Sequence, residues 1–296
     1  MTPSRRRQAV RHVRQTLHVS ERRACRVLGQ PRRTQRYVPR PADDEGELVK
    51  RMLELVRAHP RYGYRRIWAL LRQEDWNVNR KRIWRLWKQN GLKVPQKKRK
   101  RRRLGTSDNG ILRQRATGPN QVWAWDFIFD RTDDGRSLKW LSIVDEYTRE
   151  CLSLEVGRSM TAADVIDVLI ELVHTRGAPA HIRSDNGPEF IAVAIRSWLG
   201  RSGIGTLYIQ PGSPWENGFA ESFHSRLRDE LLDVEVFETV AEARMLATQW
   251  RLEYNHRRPH SSLGYRTPAA FAASLAEPPV ASLPTARQAK KELVLS

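Results

Sequence analysis

The chain has 296 residues, 40% of them apolar and ten of them Trp. That is enough to build a packed core, in one large domain with one or two small ones. The formal net charge of +20 calls for a polyanionic partner. Two cysteines, Cys25 and Cys151, exclude a disulfide framework and a cysteine-built zinc site. They read as reduced thiols of a cytoplasmic protein. No run of about 18 apolar residues is present to span a membrane. The Arg-rich start has no apolar stretch behind it, so no secretory leader is expected.

The positive charge is unevenly placed. Residues 1–105 hold 32 Lys and Arg against 8 Asp and Glu, and the remainder holds 21 against 25. A basic arm on a slightly acidic body suits a protein that grips phosphates with one part and gathers carboxylates in another. A ribosomal or chromatin protein with a basic tail would lack the folded acidic body.

Residues 4–37 read as two short helices. Ser20 is the N-cap of the first, with Ala24, Val27 and Leu28 on one face, and Pro31 opens the second, which carries Arg32, Arg33 and Arg36. With Gly29-Gln30 as the turn between them, the pattern is helix-turn-helix. Residues 45–58 form an amphipathic helix (Leu48, Met52, Leu55, Val56), which His59-Pro60 ends. A helix over 64–73 turns Ile67, Leu70 and Leu71 inward. Asn79 then caps a helix with Ile83, Leu86 and Trp87 on one side and Arg80, Lys81, Arg82, Arg85 and Lys88 on the others. One basic helix is ordinarily a solvated face. Two helical pairs in tandem ahead of a polybasic run favour DNA. That run, Lys97-Lys98-Arg99-Lys100-Arg101-Arg102-Arg103, repels itself and reads as an extended linker along phosphates, without sequence specificity.

From about residue 118 the pattern changes. Val122–Phe129, Leu138–Val144 and Cys151–Val156 read as an antiparallel meander, with the Asp133-Asp134-Gly135 turn after the first strand. A helix capped by Thr161 follows, with Val165, Val168, Leu169 and Leu172 on one face. Then come a strand over 181–184, a helix near 188–200, a strand over 206–209, and helices over 214–230 and 239–253. A Pro-rich tail starts at 277. Meander followed by alternating helix and strand is an α/β layer fold with a mixed sheet. The expected domains are 1–40, 41–92, a linker over 93–115, a core over 116–275 and a tail over 276–296.

Three carboxylates stand in odd places. Asp126 lies inside a strand among apolar neighbours, where an uncompensated charge is costly. Asp185 ends the strand 181–184, at the edge where α/β sheets place ligands, although an Asp ahead of Asn-Gly is also an ordinary turn residue. Glu221 lies on the helix 214–230, which Ser213, Pro214 and Glu216 start as a capping box. Asn217, Glu221, Ser225 and Arg228 share one face of that helix, which is no core face. Hard oxygen ligands converging from separate elements are what metal-assisted phosphodiester chemistry requires. The histidines show no metal-ligand spacing.

From Asp185 to Glu221 there are 35 intervening residues. The stretches Asp185-Asn186-Gly187-Pro188-Glu189-Phe190, Pro211-Gly212-Ser213-Pro214-Trp215-Glu216-Asn217-Gly218 and Glu221-Ser222-Phe223-His224 resemble the Asp-Asp-35-Glu transposases and retroviral integrases. The resemblance is strongest to the second reading-frame product of the third bacterial insertion-sequence family. Tyr254-Asn255-His256-Arg257-Arg258-Pro259-His260 and Thr267-Pro268-Ala269 resemble that family's ending. The resemblance implies a ribonuclease-H-like core with a five-stranded mixed sheet of order 3-2-1-4-5, preceded by all-α helix-turn-helix units. It maps the catalytic, metal-binding triad onto Asp126, Asp185 and Glu221, with two Mg²⁺ ions or Mn²⁺ in their place. Asn217 and Arg228 fall where the family contacts DNA. The implied activity is binding of an element's terminal inverted repeats, cleavage of one strand and transfer of the freed 3′-hydroxyl. A homo-oligomer would hold two transposon ends and the target, in the bacterial cytoplasm at the nucleoid. An upstream reading-frame product fused by frameshift is a further implied partner. The integrases' zinc-binding His/Cys domain has no counterpart here, since neither cysteine has a nearby cysteine partner. Two other readings, a DNA-binding regulator with a dead core and a nuclease that only hydrolyses, fit the filled triad and the tandem binding units less well.

Overall fold

A computed structural model describes residues 2–38, 43–94, 115–184, 193–208 and 218–276. The chain forms two compact units, 1–53 and 54–296.

In the first unit, α1 (Pro3–Leu17), α2 (Glu21–Val27) and α3 (Arg32–Arg36) surround a small core of Val10, Ala24 and Cys25. Three helices stand where two were expected. The Arg-rich α1 shows few apolar residues, yet Val10 is fully buried. Ser20 caps α2 by accepting from the Arg23 N–H, as expected, and Gly29 makes the turn into α3 with φ of +59°. Val27, assigned to the inner face, is 75% exposed; Cys25 takes the buried place. Glu21 gathers Arg36 (2.7 Å), Arg32 (3.5 Å) and Arg14 (3.6 Å), which fixes α3 against the start of α2 and leaves Arg33 exposed.

The helix α4 (Glu45–Ala58) crosses the boundary between the units. In the second unit, α5 (Tyr64–Gln73) and α6 (Arg80–Gln89) pair through Ile67, Leu70, Leu71, Ile83, Leu86 and Trp87, all buried as expected. Asn79 accepts from the Lys81 N–H at 2.9 Å and starts α6. Asn79→Ala is expected to cost about 1 kcal/mol, read as a lowered denaturation midpoint. The outer face of α6 shows Arg80, Lys81 and Arg85 exposed and Arg82 half-buried. Trp84 is exposed beside them, with Lys88 Nζ 4.2 Å from its ring centroid.

The rest of this unit is built on strands β1 (Val122–Arg131), β2 (Ser137–Asp145), β3 (Cys151–Gly157), β4 (His181–Ser184) and β5 (Gly205–Tyr208), in the order β3-β2-β1-β4-β5. β1, β2 and β3 are antiparallel neighbours; β4 and β5 join in parallel. The order is the one implied by the resemblance. Period-2 alternation sends Trp123 and Trp125 of β1 to one face, where they meet α7 (Ala162–Arg176) and α8 (Val193–Arg201). Ile128 points to the other face, with Trp140, Val144 and Leu154. That face is covered by α9 (Gly218–Leu227), a π-helical turn over 228–232, and α10 (Val240–His256).

Thr161 starts α7 with a full capping box to Asp164, and Gly177 stops it at φ of +82°. The start of the helix expected near 188–200 lies outside the described residues, as does the capping box of Ser213 and Glu216 ahead of α9. The helix expected to run to 230 changes to π geometry at Arg228. A last helix, α11 (Pro268–Ala276), was not anticipated. Asn255 of α10 accepts from the Cys151 N–H and donates to the Cys151 carbonyl, both at 2.9 Å, and so pins the start of β3.

Candidate active site

Asp126 belongs to the β1 residues that face α9. Its Cα partner on β2 is Ser142, and α9 packs on both strands. Its Oδ1 accepts from the Phe127 N–H at 2.8 Å. Its Oδ2 lies 3.6 Å from His224 Nδ1, beyond hydrogen-bond reach. His224 Nε2 is 2.7 Å from Ser142 Oγ, which also donates to the Asp126 carbonyl at 3.2 Å. Burial, then the nearby Arg228 guanidinium, pushes the His224 imidazole down to about 4. It is therefore neutral near pH 7.

Glu221 stands three residues before His224 on α9, so the two are neighbours one turn apart. The His224 contact thus brings the Glu221 turn of α9 to Asp126. Glu221 is exposed, and Asp126 keeps about a fifth of its side chain accessible. β4 runs parallel to β1, with Ala124 paired to Arg183, and ends at Ser184, the residue before Asp185 in the chain. Asp185 and Asn217 lie outside the described residues, as do Lys97, Lys98, Arg99, Lys100, Arg101, Arg102 and Arg103. Two carboxylates on the described side of the junction are the hard donors that a divalent cation takes. Among the described residues no group of three acidic, His or Cys side chains is gathered around one point.

Ser225 and Arg228 are exposed on the Glu221 side of the helix, and Arg228 Nη2 donates to the Phe129 carbonyl of β1 at 3.3 Å. Behind β4, Arg183 and Glu146 form a buried ion pair at 2.7 Å. The π turn points Glu230 at Arg258 (2.6 and 2.8 Å) and Arg66 (2.9 Å), and Asp229 at Arg61. These contacts tie the α5 segment to the end of the Glu221 helix. None of them was visible to sequence reasoning. His224 had one signal, its position one turn after Glu221.

A mixed sheet of this order, with a helix crossing its central strand beside Asp126, has the layout of an integrase-type polynucleotidyl transferase core. The comparisons with known proteins agree. Residues 116–214 and 202–268 match integrase core domain families, and residues 42–100 match an HTH-like domain. The chain is 39% identical over 274 residues, 93% of its own length and 78% of the relative's, to an uncharacterized 39.2 kDa protein of insertion element IS476 from Xanthomonas euvesicatoria. It is 29% identical over 245 residues to transposase InsD of insertion element IS2 from Escherichia coli, covering 77% of this chain and 79% of that one. Among solved structures, the HTLV-2 integrase catalytic core domain in complex with magnesium aligns with 53% of this chain and 99% of its own, at 18% identity and a TM-score of 0.43. The chain belongs to the insertion-element transposases with an integrase core, enzymes that depend on divalent metal. No helix among the described residues is long and apolar enough to cross a membrane.

Proposed function

We propose that Asp126, Asp185 and Glu221 together hold two Mg²⁺ ions, or Mn²⁺ in their place, and that the chain cuts and joins the ends of its element there. The observation that carries this reading is the approach of α9 to Asp126 through His224, beside the end of β4. Bound ions of this kind activate a water and stabilise charge on phosphate oxygens. The side chains position them: Asp126 from the central strand, Asp185 from the chain just past the neighbouring strand, Glu221 from the covering helix. Ser225 and Arg228, exposed on the Glu221 side of α9, and Asn217 orient the strand to be cut; the Arg228 bond to the Phe129 carbonyl anchors its guanidinium on β1.

One strand at each end is hydrolysed first. The freed 3′-hydroxyl then attacks a second phosphodiester. A new P–O bond forms as the old one breaks, and the displaced strand leaves with its own 3′-hydroxyl. No covalent bond to the protein is needed. The helices 1–40 and 41–92 bind the inverted repeats, with Arg32, Arg33, Arg36, Arg80, Lys81, Arg82 and Arg85 on phosphates or bases. The polybasic 93–115 lies along the backbone, 116–275 is the core and 276–296 a tail. Two ends handled together call for a homo-oligomer, and a frameshift-fused upstream product is a further partner.

Labelled element ends incubated with Mg²⁺ test this, with Asp185→Asn as comparison. Joined strands from the wild type and none from the variant are expected. Cut strands without joining would make the chain a nuclease instead.

A further inference from the structure

A cavity of about 270 Å³ opens along α9, on a flank turned roughly 120° from the one that bears Glu221, Ser225 and Arg228. Arg66, Arg149, Arg226 and Arg258 line it, with His260 and Ser262 at its edge. Buried Phe223 and Tyr254 form its floor, and Ser222 and Ser262 lie exposed at its mouth.

The walls are built and strongly cationic. Arg258 is 2% exposed, held by the same Glu230 carboxylate that meets Arg66. Arg149 lies over the Phe219 ring at 3.8 Å, which holds its plane in place. Burial, and then the surrounding guanidiniums of Arg258, Arg149, Arg66 and Arg226, pushes the His260 imidazole down to about 3. A cavity lined by four guanidiniums over a low-dielectric floor attracts an anion more strongly than exposed lysines do. Fixed planar guanidiniums match the paired oxygens of a phosphate group.

We propose that this pocket binds a phosphate group of the DNA end, as an anchor separate from the metal-binding carboxylates. α9 is the wall between the two sites. A helix is about 10–12 Å across, which corresponds to about three phosphates along one strand. The pocket would thus hold the strand a few nucleotides from the scissile position and set how far it enters the site. The assignment of the phosphate to DNA rests on the transposase reading above; the affinity for a phosphate group does not.

The test uses the full chain without divalent metal and follows its thermal midpoint at matched ionic strength. The probes are inorganic phosphate, with chloride as control, and a 5′-phosphorylated tetrathymidylate. The midpoint is expected to rise with both, the tetranucleotide acting at a concentration at least tenfold lower. Arg226→Gln should move the half-maximal response at least tenfold higher. Ser262→Glu, at the exposed mouth beside His260, should do the same. Arg201→Gln, at the exposed end of α8, should respond as the wild type does. Absence of a wild-type response, or equal responses in every variant, overturns the proposal. A response to inorganic phosphate but not to the tetranucleotide makes the pocket a free-anion site and overturns the DNA assignment. Glu221→Gln should keep the phosphate response while losing cleavage, so the two readings fail in different variants.

Discussion

Glu221→Gln is expected to lower strand cleavage by at least ~10³-fold, while binding of element ends stays within about tenfold. The two halves of this result have separate causes. A carboxamide keeps the shape of the side chain and its place on α9, but removes the charge that a hard divalent cation needs. Loss of several kcal/mol of transition-state stabilisation follows, and about 4 kcal/mol is a factor of ~10³. End binding depends on the other part of the molecule. The excess of Lys and Arg over residues 1–105 supplies the phosphate contacts, and that affinity falls steeply with salt. Gel-shift titration and labelled-end cleavage on one preparation check both halves. Cleavage retained at a tenth of wild type or more would remove Glu221 from the metal site. Loss of binding with the far-ultraviolet spectrum intact would break the division between basic arm and acidic core.

Much of this division was legible because each part announces itself locally. The limits of β4 follow from a short β-rich run, and α5 and α6 from apolar residues recurring at helical spacing under a cap at Asn79. Thr161 and Asp164 spell out the start of α7. Asp126 stood out because a charge in a strand among tryptophans has to be used or compensated. Features fixed by distant partners were not legible. α1 has too little apolar surface to register, and only packing on Ala24 and Cys25 makes Val10 a core residue. The change to π geometry at Arg228 is another case: nothing in Arg228-Asp229-Glu230 says that Arg61, Arg66 and Arg258 will draw the two acids away from solvent. His224 likewise gains its place over Asp126 only once α9 crosses β1 and β2. The terminal Tyr254–His260 stretch was known by its resemblance alone; the fold gives its members work, Asn255 on β3 and Arg258 on Glu230.

That last contact carries the second large effect. Glu230→Ala is expected to destabilise the second unit by about 3–5 kcal/mol, because it strands a buried guanidinium. Arg258 is 2% exposed and the Glu230 side chain 5%. Burial pushes the Glu230 carboxyl up, but hydrogen bonds and charge from Arg258, followed by the charges of Arg66 and Arg226, outweigh it and hold the group below its ordinary value. The sign of the pH effect follows. A carboxyl whose folded value lies below its unfolded one, near 4.3, stabilises fully above that unfolded value and loses the contribution as pH falls through the folded one. Glu230→Gln, which keeps the size but not the charge, should therefore be less stable than wild type at pH 7. The gap should narrow progressively below about pH 4, as the wild-type carboxylate is protonated. Urea denaturation at pH 7, 5, 4 and 3 measures this. A gap of the same size at pH 3 as at pH 7 would show that the amide costs stability through shape. The ion pair would then not be what fastens the α5 segment and the Arg258 loop to the end of the Glu221 helix.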